Sequence, residues 1–486
     1  MLCVSLMPET TDQALRLLAD CAPRTDCAEI RLDAMRECDL ARLLARPPCP
    51  VIVTYRPRRE GGLYDGPEAP RLARLREAVQ LGARYVDIEH DSFDALKDLP
   101  RDRLIVSYHN FDRTPDDLPA IHARLAATGA AVVKVAVTAR HILDTVAVLR
   151  LLRTARVPTI ALSMGPRGVL TRVLAPKFGA FLTFAAPSGG NETAPGQVSL
   201  DDMHDLYRVG RIGPKTCVYG VMADPVGHSL SPRIHNAAFA EAGLDAVYLP
   251  LWVEGDPAAF VRVMREFDFD GYSVTIPHKQ AVMAALDEIE PLARRIGAVN
   301  TIQRRPDGTL FGTNTDWTAG LAAIEAAVGA GWLTGKQALI IGAGGVGRAM
   351  AFALKERGAA VTLTDVDATR AEQLAREVGV AVCDHSQMSG SWDALLNCTP
   401  IGMSPKVDAT PLPREMFRPG MVVYDAVYNP LETRLLREAR EAGCRTVAGI
   451  DHFVRQAVEQ FELWTNRPAP VATMRRVVVE ALTAHP

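Results

Sequence analysis

The sequence lacks the features that would place it in a membrane, in an oxidising compartment or on nucleic acid. Its nine cysteines are scattered and form no C-x-x-C pair, which favours reduced thiols in the cytoplasm over a zinc or disulfide framework. No apolar run reaches about 18 residues, so we expect no membrane span. The N-terminus has too short an apolar region, and no positive charge at its front, for a signal peptide. The net charge of −3 gives no reason to expect nucleic acid or an anionic membrane as a partner.

The sequence does contain enough apolar residues for more than one hydrophobic core. At 486 residues, of which 48% are apolar and 23% charged, the chain is predicted to form two to four domains. Two glycines and a proline between Gly210 and Pro214 break any helix, and a new β-rich run follows at once. We therefore predict a first domain over residues 1–209 and a linker over 210–214.

Eight short β-rich runs recur over the first half, each followed by a helical or polar segment. Strands that alternate with helices predict parallel βα units, and eight of them predict a closed (β/α)8 TIM barrel with short helices. The predicted strands cover residues 2–6, 29–32, 51–55, 85–89, 104–108, 132–137, 159–163 and 181–185.

One predicted strand holds Lys134 among small and β-branched apolar residues. Burying an ammonium group costs free energy unless it finds a partner or loses its proton. A lysine without its proton attacks carbonyl groups, whereas a lysine at a strand end can also extend its head to water. Taken alone, the strand favours the second interpretation.

The ends of the other strands reverse that interpretation. Catalytic residues of a (β/α)8 barrel lie at the C-terminal ends of the strands. Here those ends carry a ring of charged and polar residues, which is poor for stability and suited to binding a polyhydroxylated anion. The ring comprises Glu29, Arg31, Arg56, Glu60, Asp87, Glu89, His109, Lys134, Arg172, Thr193 and Gln197.

The first half resembles type I 3-dehydroquinate dehydratase over roughly residues 1–205. The resemblance depends on E-I-R at 29–31, R-x-x-x-E-G-G at 56–62, S-Y-H-N-F at 107–111, V-V-K-V at 132–135 and T-A-P-G-Q at 193–197. It implies that Lys134 forms a Schiff base with the 3-keto group, that His109 acts as general base and later as acid, and that Glu60 orients the imidazole.

The same resemblance implies how the substrate is held. Arg172 is implied to bind the substrate carboxylate. The substrate hydroxyl groups are implied to be bound by Glu29, Arg31, Arg56 and Gln197. Thr193 stands where the family often has serine, so the hydroxyl is kept. The alternative is a Schiff-base aldolase on the same barrel; the histidine 25 positions before the lysine and the T-A-P-G-Q loop favour dehydration.

The strongest single pattern of the second half is a glycine-rich turn at residues 342–347. An apolar strand runs into G-x-G-x-x-G, then a helix over 348–357 and a second strand over 360–364, which predicts a Rossmann unit with the pyrophosphate at the helix N-terminus. Asp365 ends the second strand, where an acidic residue accepts hydrogen bonds from a ribose 2′-hydroxyl and repels a 2′-phosphate.

Polar residues without a nucleotide signature precede this unit, and from the residues alone their roles stay open. Ser229 and Ser231 before a proline can be helix N-caps, and Lys279 can be an ordinary first-turn lysine. Residues 216–486 nevertheless resemble shikimate dehydrogenase, with D-P-V-G-H-S-L-S-P, S-V-T-I-P-H-K, G-A-V-N-T-I, N-T-D, N-C-T-P-I-G-M, Y-D-A-V-Y-N-P-L-E-T and G-I-D-H-F-V-R-Q-A in family order.

This second resemblance implies a substrate site and a cofactor site. Ser229 and Ser231 are implied to bind the carboxylate, and Lys279 and Asp316 to form the catalytic pair. The hydroxyl groups of the substrate ring are implied to contact Thr275, Asn300, Asp316, Tyr428 and Gln456. The cofactor is implied to contact Gly342, Ala343, Gly344, Gly345, Val346, Gly347, Asp365, Arg370, Asn397, Thr399 and Gly449.

Three departures from the second family's pattern stand out. Asp365-Val-Asp367 replaces the N-R-T that holds a 2′-phosphate, and Arg370 alone remains of that clamp; NADP(H) is implied by the family, but we predict that NAD(H) is used at least as well. Ser273 stands where many members have asparagine. His452 stands where methionine often packs, and we expect it to pack as a neutral ring.

The leading hypothesis is therefore a bifunctional shikimate-pathway enzyme, with a TIM barrel followed by a two-lobed α/β unit. The substrate lobe is predicted over residues 215–330 and 454–486, with a C-terminal helix over about 454–484, and the Rossmann lobe over 331–453. The alternatives are a catabolic quinate/shikimate dehydrogenase fusion and a non-catalytic ligand sensor; the catalytic lysines, the histidine and the aspartate are all present, which disfavours the sensor. We expect small-molecule substrates only, no metal, and a monomer or weak homo-oligomer.

Overall fold

The computed structural model describes residues 1–189, 196–227, 229–385, 388 and 390–484. The chain divides into two compact units. Met1–Cys217 and Asp245–Glu254 form the first unit, and Val218–Leu244 and Gly255–Pro486 form the second. Within the described residues, no helix is both long and apolar enough to cross a membrane.

The first unit is built on an eight-stranded parallel sheet that nearly closes into a barrel. The strand order is β7-β6-β5-β4-β3-β2-β1-β8, and the N–H of Phe181, just before the last strand, donates to the carbonyl oxygen of Thr159 at 2.8 Å. The predicted (β/α)8 fold is confirmed. The elements are β1 (Leu2–Leu6), α1 (Thr11–Cys21), β2 (Cys27–Arg31), α2 (Leu40–Leu44), β3 (Val51–Thr54), α3 (Glu68–Gln80), β4 (Tyr85–Glu89), β5 (Leu104–Asn110), α4 (Leu118–Ala126), β6 (Val132–Thr138), α5 (Thr145–Thr154), β7 (Thr159–Met164), α6 (Val169–Val173) and β8 (Thr183–Ala185).

The barrel interior changes from apolar to polar along the strands. Near the strand starts, Cys3, Ile52, Ile105 and Val132 belong to one buried apolar cluster. Because side chains at i and i+2 share a face of a strand, Val132 and Lys134 point the same way. The polar residues two positions later on each strand therefore form a layer above this cluster, at the C-terminal end of the barrel.

The second unit contains two sheets. The strands of its first sheet that belong to this unit follow the order β9-β11-β13-β14-β12, with β13 antiparallel to both neighbours. The elements are β9 (Cys217–Ala223), α7 (Ser231–Glu241), α8 (Pro257–Met264), β11 (Gly271–Val274), β12 (Glu288–Ile289), α9 (Pro291–Ile296), β13 (Thr301–Arg304), β14 (Leu310–Thr313) and α10 (Thr315–Val328); β10 (Ala246–Trp252) lies in the segment that groups with the first unit.

The second sheet of this unit is fully parallel, with order β17-β16-β15-β18-β19-β20, and the predicted Rossmann fold is confirmed. The predicted strand over 360–364 is present, and the helix starts at Gly345, three residues earlier than predicted. The elements are β15 (Gln337–Ile341), α11 (Gly345–Glu356), β16 (Ala360–Thr364), α12 (Ala368–Val378), β17 (Ala381–Val382), β18 (Ala394–Asn397), β19 (Val422–Asp425), α13 (Arg434–Glu441), β20 (Arg445–Val447), α14 (Gly449–Thr465) and α15 (Val471–Ala484).

The prediction of one C-terminal helix over about 454–484 is wrong, because two helices, α14 and α15, occupy this region. Asn466 adopts a left-handed conformation with φ of 51° and ends α14. Pro468 and Pro470 follow at once, and proline cannot continue a helix because it lacks the N–H group. The chain turns here, so that α15 packs against α7 and α14 packs against α10.

Candidate active sites

The predicted site residues of the first unit lie around one cavity at the C-terminal end of the barrel. Its empty space is about 530 Å³, open mouth included. Thr193 lies outside the described residues. The predicted residues that line the cavity are Glu29, Arg31, Arg56, Glu60, His109, Lys134, Arg172 and Gln197.

Lys134 is buried and ion-paired, so its head does not extend to water. Only 6% of the residue is exposed. Nζ lies 2.8 Å from Oδ2 of Asp87 and 3.4 Å from Oε1 of Glu29, and 4.6 Å above the ring of Phe184. The amine is therefore held at the cavity floor by two carboxylates, with its free side toward the cavity.

Both carboxylates beneath Lys134 are themselves fixed by other groups. Ser5 and Thr54 donate hydrogen bonds to Glu29 at 2.5 and 2.8 Å, and the hydroxyl of Ser107 donates to Asp87 at 2.6 Å. Burial by itself raises the pKa of both acids. For Asp87 the charges of Arg56 and Lys134 outweigh burial and hold its pKa far below the usual value, and Lys134 and Arg31 likewise lower the pKa of Glu29. The floor of the cavity is thus anionic below the lysine.

Arg56 links this floor to a third buried carboxylate, that of Glu89. Its guanidinium lies 2.8 Å from Asp87 and 2.7 Å from Glu89, and it donates to the hydroxyl of Ser107 at 3.0 Å. Arg71, on α3, lies 2.8 Å from the other oxygen of Glu89. Because buried charges persist only when they are paired, this chain of ion pairs fixes the position of Arg56 at the cavity wall.

His109 and Glu60 form the catalytic candidate pair of this cavity. Nδ1 of His109 lies 3.1 Å from Oε2 of Glu60, and the imidazole stacks on Phe111 with ring centroids 6.0 Å apart. Burial, aided by the positive charges of Arg56 and Lys134, lowers the pKa of His109 well below its usual value. Burial also raises the pKa of Glu60 to about 7. The imidazole is therefore neutral at pH 7, the form that can accept a proton.

We expect this pair to set the pH dependence of the chemistry in the first unit. As the pH rises through about 7, Glu60 loses its proton, and its carboxylate can accept a hydrogen bond from Nδ1–H. The Nε2 atom is then free to act as base. In Glu60→Gln the rise of kcat/KM through this pH range should disappear, and kcat/KM above it should fall about tenfold.

Rates measured across the range for the unaltered chain and for Glu60→Gln check this prediction. Asp65→Asn, an exposed change in the same loop, serves as the matched control. If the kcat/KM profile of Glu60→Gln still rises through the same pH range, a group other than Glu60 causes that rise.

Lys279 and Asp316 meet in the second unit, as the sequence predicts. Nζ of Lys279 lies 2.6 Å from Oδ2 of Asp316, and the amide of Asn300 donates to the other carboxylate oxygen at 2.9 Å. Burial alone raises the pKa of Asp316, but Lys279 and His452 outweigh it and hold the pKa well below the usual value. The structure thus presents an ammonium and an ionised carboxylate in direct contact.

The backbone around this pair explains its position. Asn314 caps α10, since its side chain accepts from the N–H of Asp316 at 3.0 Å, and so places Asp316 in the first turn. The side chain of Asn300 accepts from the N–H of Thr315 at 2.7 Å and from the hydroxyl of Thr301 at 2.8 Å. These bonds leave the amide nitrogen of Asn300 to donate to Asp316 at 2.9 Å and to the hydroxyl of Thr315 at 3.1 Å.

The other predicted substrate residues of this unit lie on separate elements. Ser231 begins α7, whose N-cap is Leu230 without a side-chain cap, so neither serine is the helix N-cap; the N–H of Ser231 donates to the hydroxyl of Ser229 at 3.3 Å. Thr275 directly follows β11. Tyr428 stacks on Phe453 at 4.3 Å between centroids, and burial raises the pKa of its hydroxyl to about 12. Gln456 lies on α14, where its amide donates to the carbonyl of Phe453.

The glycine-rich turn joins β15 to α11 in a form that fits a dinucleotide diphosphate. Gly342 has a φ of 101°, which side-chain-bearing residues rarely adopt, and a Cβ at Gly347 would lie 1.8 Å from the carbonyl oxygen of Gly342. A Cβ at Gly344 would meet no atom within 4 Å, so the turn is open on that side, at the N-terminus of α11. A Cβ at Gly345 would lie 3.1 Å from Cδ of Lys279, which places the lysine beside this turn. Ala343 and Val346 complete the predicted set.

Asp365 faces the glycine-rich turn. Its Oδ2 accepts from the N–H of Ala343 at 2.7 Å and its Oδ1 from the N–H of Asp367 at 2.9 Å. The guanidinium of Arg370 lies 4.0 Å from Asp365 and 3.5 Å from Asp367, and it is largely exposed. Two carboxylates therefore stand where the cofactor ribose is predicted, with one arginine beside them.

The remaining predicted cofactor residues lie at the ends of β18 and β20. Asn397 donates to the carboxylate of Asp425 at 2.9 Å and accepts from the hydroxyl of Thr399 at 2.7 Å. Burial raises the pKa of Asp425 to about 6, and hydrogen bonds from Thr433 and Asn397 oppose that rise. Gly449 begins α14, two residues after β20.

Several groups that shape the two sites escape the sequence patterns. Arg71 comes from a helix, and no strand-end pattern points to it. Ser107 and Asp87 were visible as strand-end residues but carried no assigned role. In the second unit, Gln460 accepts from Ser273 and donates to Thr301, and this buried network supports Asn300 from the far side. Glutamines spaced by four on one helix, as at residues 456 and 460, would have been the available signal.

Comparison with known proteins gives matches to both halves of the chain. The family model of type I 3-dehydroquinase matches residues 2–214. The model of the shikimate dehydrogenase substrate binding domain matches residues 221–302, and that of the shikimate 5′-dehydrogenase C-terminal domain matches residues 449–479. The chain is 42% identical over 474 residues to the chloroplastic bifunctional 3-dehydroquinate dehydratase/shikimate dehydrogenase of Arabidopsis thaliana, covering 92% of this chain and 78% of that protein.

The second half has further relatives of its own. It is 43% identical over 289 residues to the shikimate dehydrogenase (NADP(+)) of Moorella thermoacetica, covering 56% of this chain and 96% of that protein. It also resembles the structure of quinate dehydrogenase from Corynebacterium glutamicum in complex with NAD, with a TM-score of 0.52 and 30% identity over 55% of this chain and 99% of that chain.

Proposed function

Because the chain belongs to the family of bifunctional 3-dehydroquinate dehydratase/shikimate dehydrogenases, we propose that its two units carry out consecutive reactions, each with its own lysine. The first reaction is the dehydration of 3-dehydroquinate, and the second is the reduction of the resulting 3-dehydroshikimate to shikimate. The observation that carries this proposal is the pair of buried lysines, one in a cavity with a neutral imidazole and one in contact with a carboxylate beside the glycine-rich turn.

In the first unit, Lys134 sheds its ammonium proton, attacks the 3-keto carbon as the free amine and forms a protonated imine, as the keto oxygen leaves as water. The protonated imine withdraws electrons, so the adjacent C2 proton becomes removable, and neutral His109 accepts it. The same histidine then returns the proton to the departing C1 hydroxyl. Arg172, which is fully buried at the cavity wall, pairs with the substrate carboxylate. Glu29, Arg31, Arg56, Gln197 and Thr193 hold the hydroxyl groups.

In the second unit, Lys279 and Asp316 handle the proton at the C3 oxygen. The bound nicotinamide dinucleotide supplies the hydride. The short contact between the two side chains lets the ammonium give a proton to the nascent alkoxide while the carboxylate stays ionised and holds the lysine in place. Ser229 and Ser231 bind the carboxylate at the start of α7, and Thr275, Asn300, Tyr428 and Gln456 contact the ring hydroxyls.

The intact chain given 3-dehydroquinate and a reduced dinucleotide should form shikimate, and without the dinucleotide it should stop at 3-dehydroshikimate. Chromatography of both products measures this outcome. If 3-dehydroquinate persists, the dehydratase assignment fails; if 3-dehydroshikimate accumulates with either dinucleotide present, the reductase assignment fails.

The same assay tests our proposal that NAD(H) is used at least as well as NADP(H). The carboxylates of Asp365 and Asp367 repel a 2′-phosphate, and Asp365 still has lone pairs for a ribose hydroxyl. In Asp365→Ser the ratio of kcat/KM with NADPH to that with NADH should rise about tenfold or more. Asp408→Ser, an exposed change elsewhere on this lobe, should leave the ratio unchanged. A hundredfold preference of the unaltered chain for NADPH would refute the proposal.

A second candidate for the second unit is quinate or shikimate oxidation in a catabolic direction. The likeness to an NAD-bound quinate dehydrogenase and the acidic residue at position 365 favour it. Activity with quinate and NAD that exceeds the activity with 3-dehydroshikimate would select this candidate. We further propose a cytoplasmic monomer or weak homo-oligomer without a metal, and the scattered cysteines without a C-x-x-C pair support a reducing compartment.

A further inference from the structure

The imidazole of His452 lies at the centre of the second unit, and the proposed reduction gives it no role. Its Nδ1 makes a short hydrogen bond with the hydroxyl of Tyr424, on β19. Its Nε2 lies 3.8 Å from Oδ1 of Asp316, on α10. Tyr424 is fully buried, and His452 and Asp316 are each 5% exposed. Three polar groups from three different elements therefore meet away from bulk solvent, next to the catalytic lysine.

The contact with Tyr424 determines which nitrogen of the ring carries the proton. Burial raises the pKa of Tyr424 well above its usual value, so its hydroxyl keeps its proton and can donate to Nδ1. A neutral imidazole that accepts at Nδ1 carries its proton on Nε2. That N–H faces the carboxylate of Asp316. The 3.8 Å separation is longer than a hydrogen bond, and such contacts in a ligand-free active site often shorten when substrate binds.

The titratable groups around the ring leave Asp316 as the charged group that it faces most directly. On α14 itself, Asp451 is engaged by Arg475 at the surface. Behind Asp316 stands Lys279, and Glu459 is also close enough to Asp316 to feel its charge. Cys398 and Asp425 are close enough to Tyr424 to act on its pKa. On the remaining side, the ring lies near Gly320 of α10 together with Met350 of α11.

We propose that His452 is a positioning residue for the reduction: Tyr424 orients the imidazole so that Nε2–H holds Asp316 in place against Lys279. The inference rests on the proposed function of this unit. Asp316 then receives N–H groups from Asn300 and His452 on one oxygen and from Lys279 on the other. The carboxylate is held on both sides, and Lys279 is aligned through it.

Two ring-preserving substitutions test this arrangement, and a third restores part of it. His452→Phe removes both nitrogens, and Tyr424→Phe removes the group that fixes the tautomer. Without Nε2–H the ionised form of Asp316 is less favoured, so its carboxyl protonates at higher pH. For His452→Phe we expect kcat for reduction to fall about tenfold and the acid limb of its pH profile to move up by about one pH unit. Tyr424→Phe should lower kcat and raise the acid limb as well, but by smaller amounts. His452→Gln keeps an N–H donor and should recover most of the kcat that His452→Phe loses.

The controls separate positioning from packing. Phe461→Leu perturbs a fully buried ring on the same helix without changing His452 or Tyr424. It should lower the stability of the fold and leave the acid limb of the pH profile for reduction in place. Dehydration by the same preparations reports that the chain is folded. The inference would be overturned if His452→Phe kept the kcat and the pH profile of the unaltered chain. It would also be overturned if His452→Gln had no higher kcat than His452→Phe. If His452→Phe fails to fold, the kcat and acid limb of Tyr424→Phe test the inference instead, and unchanged values would overturn it. An unaltered chain that does not reduce 3-dehydroshikimate at all would instead refute the proposed function, and the inference with it.

Discussion

Replacing Lys134 with methionine is expected to lower kcat/KM for dehydration by about 10⁴-fold or more, because the step that forms the imine loses its nucleophile. Methionine has nearly the length and volume of lysine, so the cavity keeps its shape. Reduction of supplied 3-dehydroshikimate by the same preparation should be unchanged, since Lys279 and Asp316 belong to the second unit. The two activities measured on one chain thus serve as controls for each other.

The same substitution should also change stability, with a defined dependence on pH. Asp87 and Glu29 lose a buried partner, although Arg56 stays 2.8 Å from Asp87. We expect the free energy of unfolding to fall by about 3 kcal/mol at neutral pH. Because Lys134 helps to depress the pKa of Asp87, its contribution is fully present above the pKa of the unfolded carboxyl and is lost as the pH falls toward the lower pKa of the folded one. Urea unfolding of the unaltered chain and of Lys134→Met at neutral and acidic pH should show that the difference between their free energies of unfolding becomes smaller at acidic pH.

Trapping of the imine gives the direct test of the Lys134 assignment. Incubation with 3-dehydroquinate and sodium borohydride should attach the reduced substrate to one lysine, and peptide mapping by mass spectrometry should place it at Lys134. The Lys134→Met variant should remain unlabelled, whereas Lys97→Met, an exposed change on the same unit, should label normally. A label at another lysine, or none in the unaltered chain, would contradict the assignment.

The first unit shows how much of a fold and a site can be predicted from sequence. All eight strands are short β-rich runs separated by polar or helical segments, and the structure places each within a few residues of its predicted position. The site followed because parallel strands of a barrel end at the same rim, and because residues two apart share a face. Glu29 and Lys134 are 105 positions apart, yet strand ends alone were enough to bring them together.

What the sequence did not reveal depends on contacts between different kinds of element. Arg71 reaches Glu89 from helix α3, and helical periodicity marks it as one buried position among several, not as an ion-pair partner. Tyr424 and His452 meet across β19 and α14, and nothing local to either residue predicts the pair. The break between α14 and α15 was different, because Pro468 and Pro470 stand in the sequence and argue against one continuous helix.

Replacing Lys279 with methionine is expected to lower kcat for reduction by about 10³-fold, because the proton donor at the C3 oxygen is lost. Asp316→Asn should have a similar effect: the amide cannot carry the charge that holds the ammonium 2.6 Å away. The double variant should be little worse than either single variant, because the two groups act as a unit and their effects are not additive. Dehydration should continue in all three, so chains supplied with 3-dehydroquinate should accumulate 3-dehydroshikimate.

Accumulation of that intermediate distinguishes loss of chemistry from loss of folding. A misfolded chain would leave 3-dehydroquinate unconsumed, whereas a folded chain with a disabled second site converts it and stops. Lys336→Met, which removes a half-exposed lysine paired with Asp393 on the same unit, should form shikimate at the normal rate. If Lys279→Met retains more than about a tenth of the reductase rate, the ammonium is not the proton donor, and the assignment of Lys279 fails.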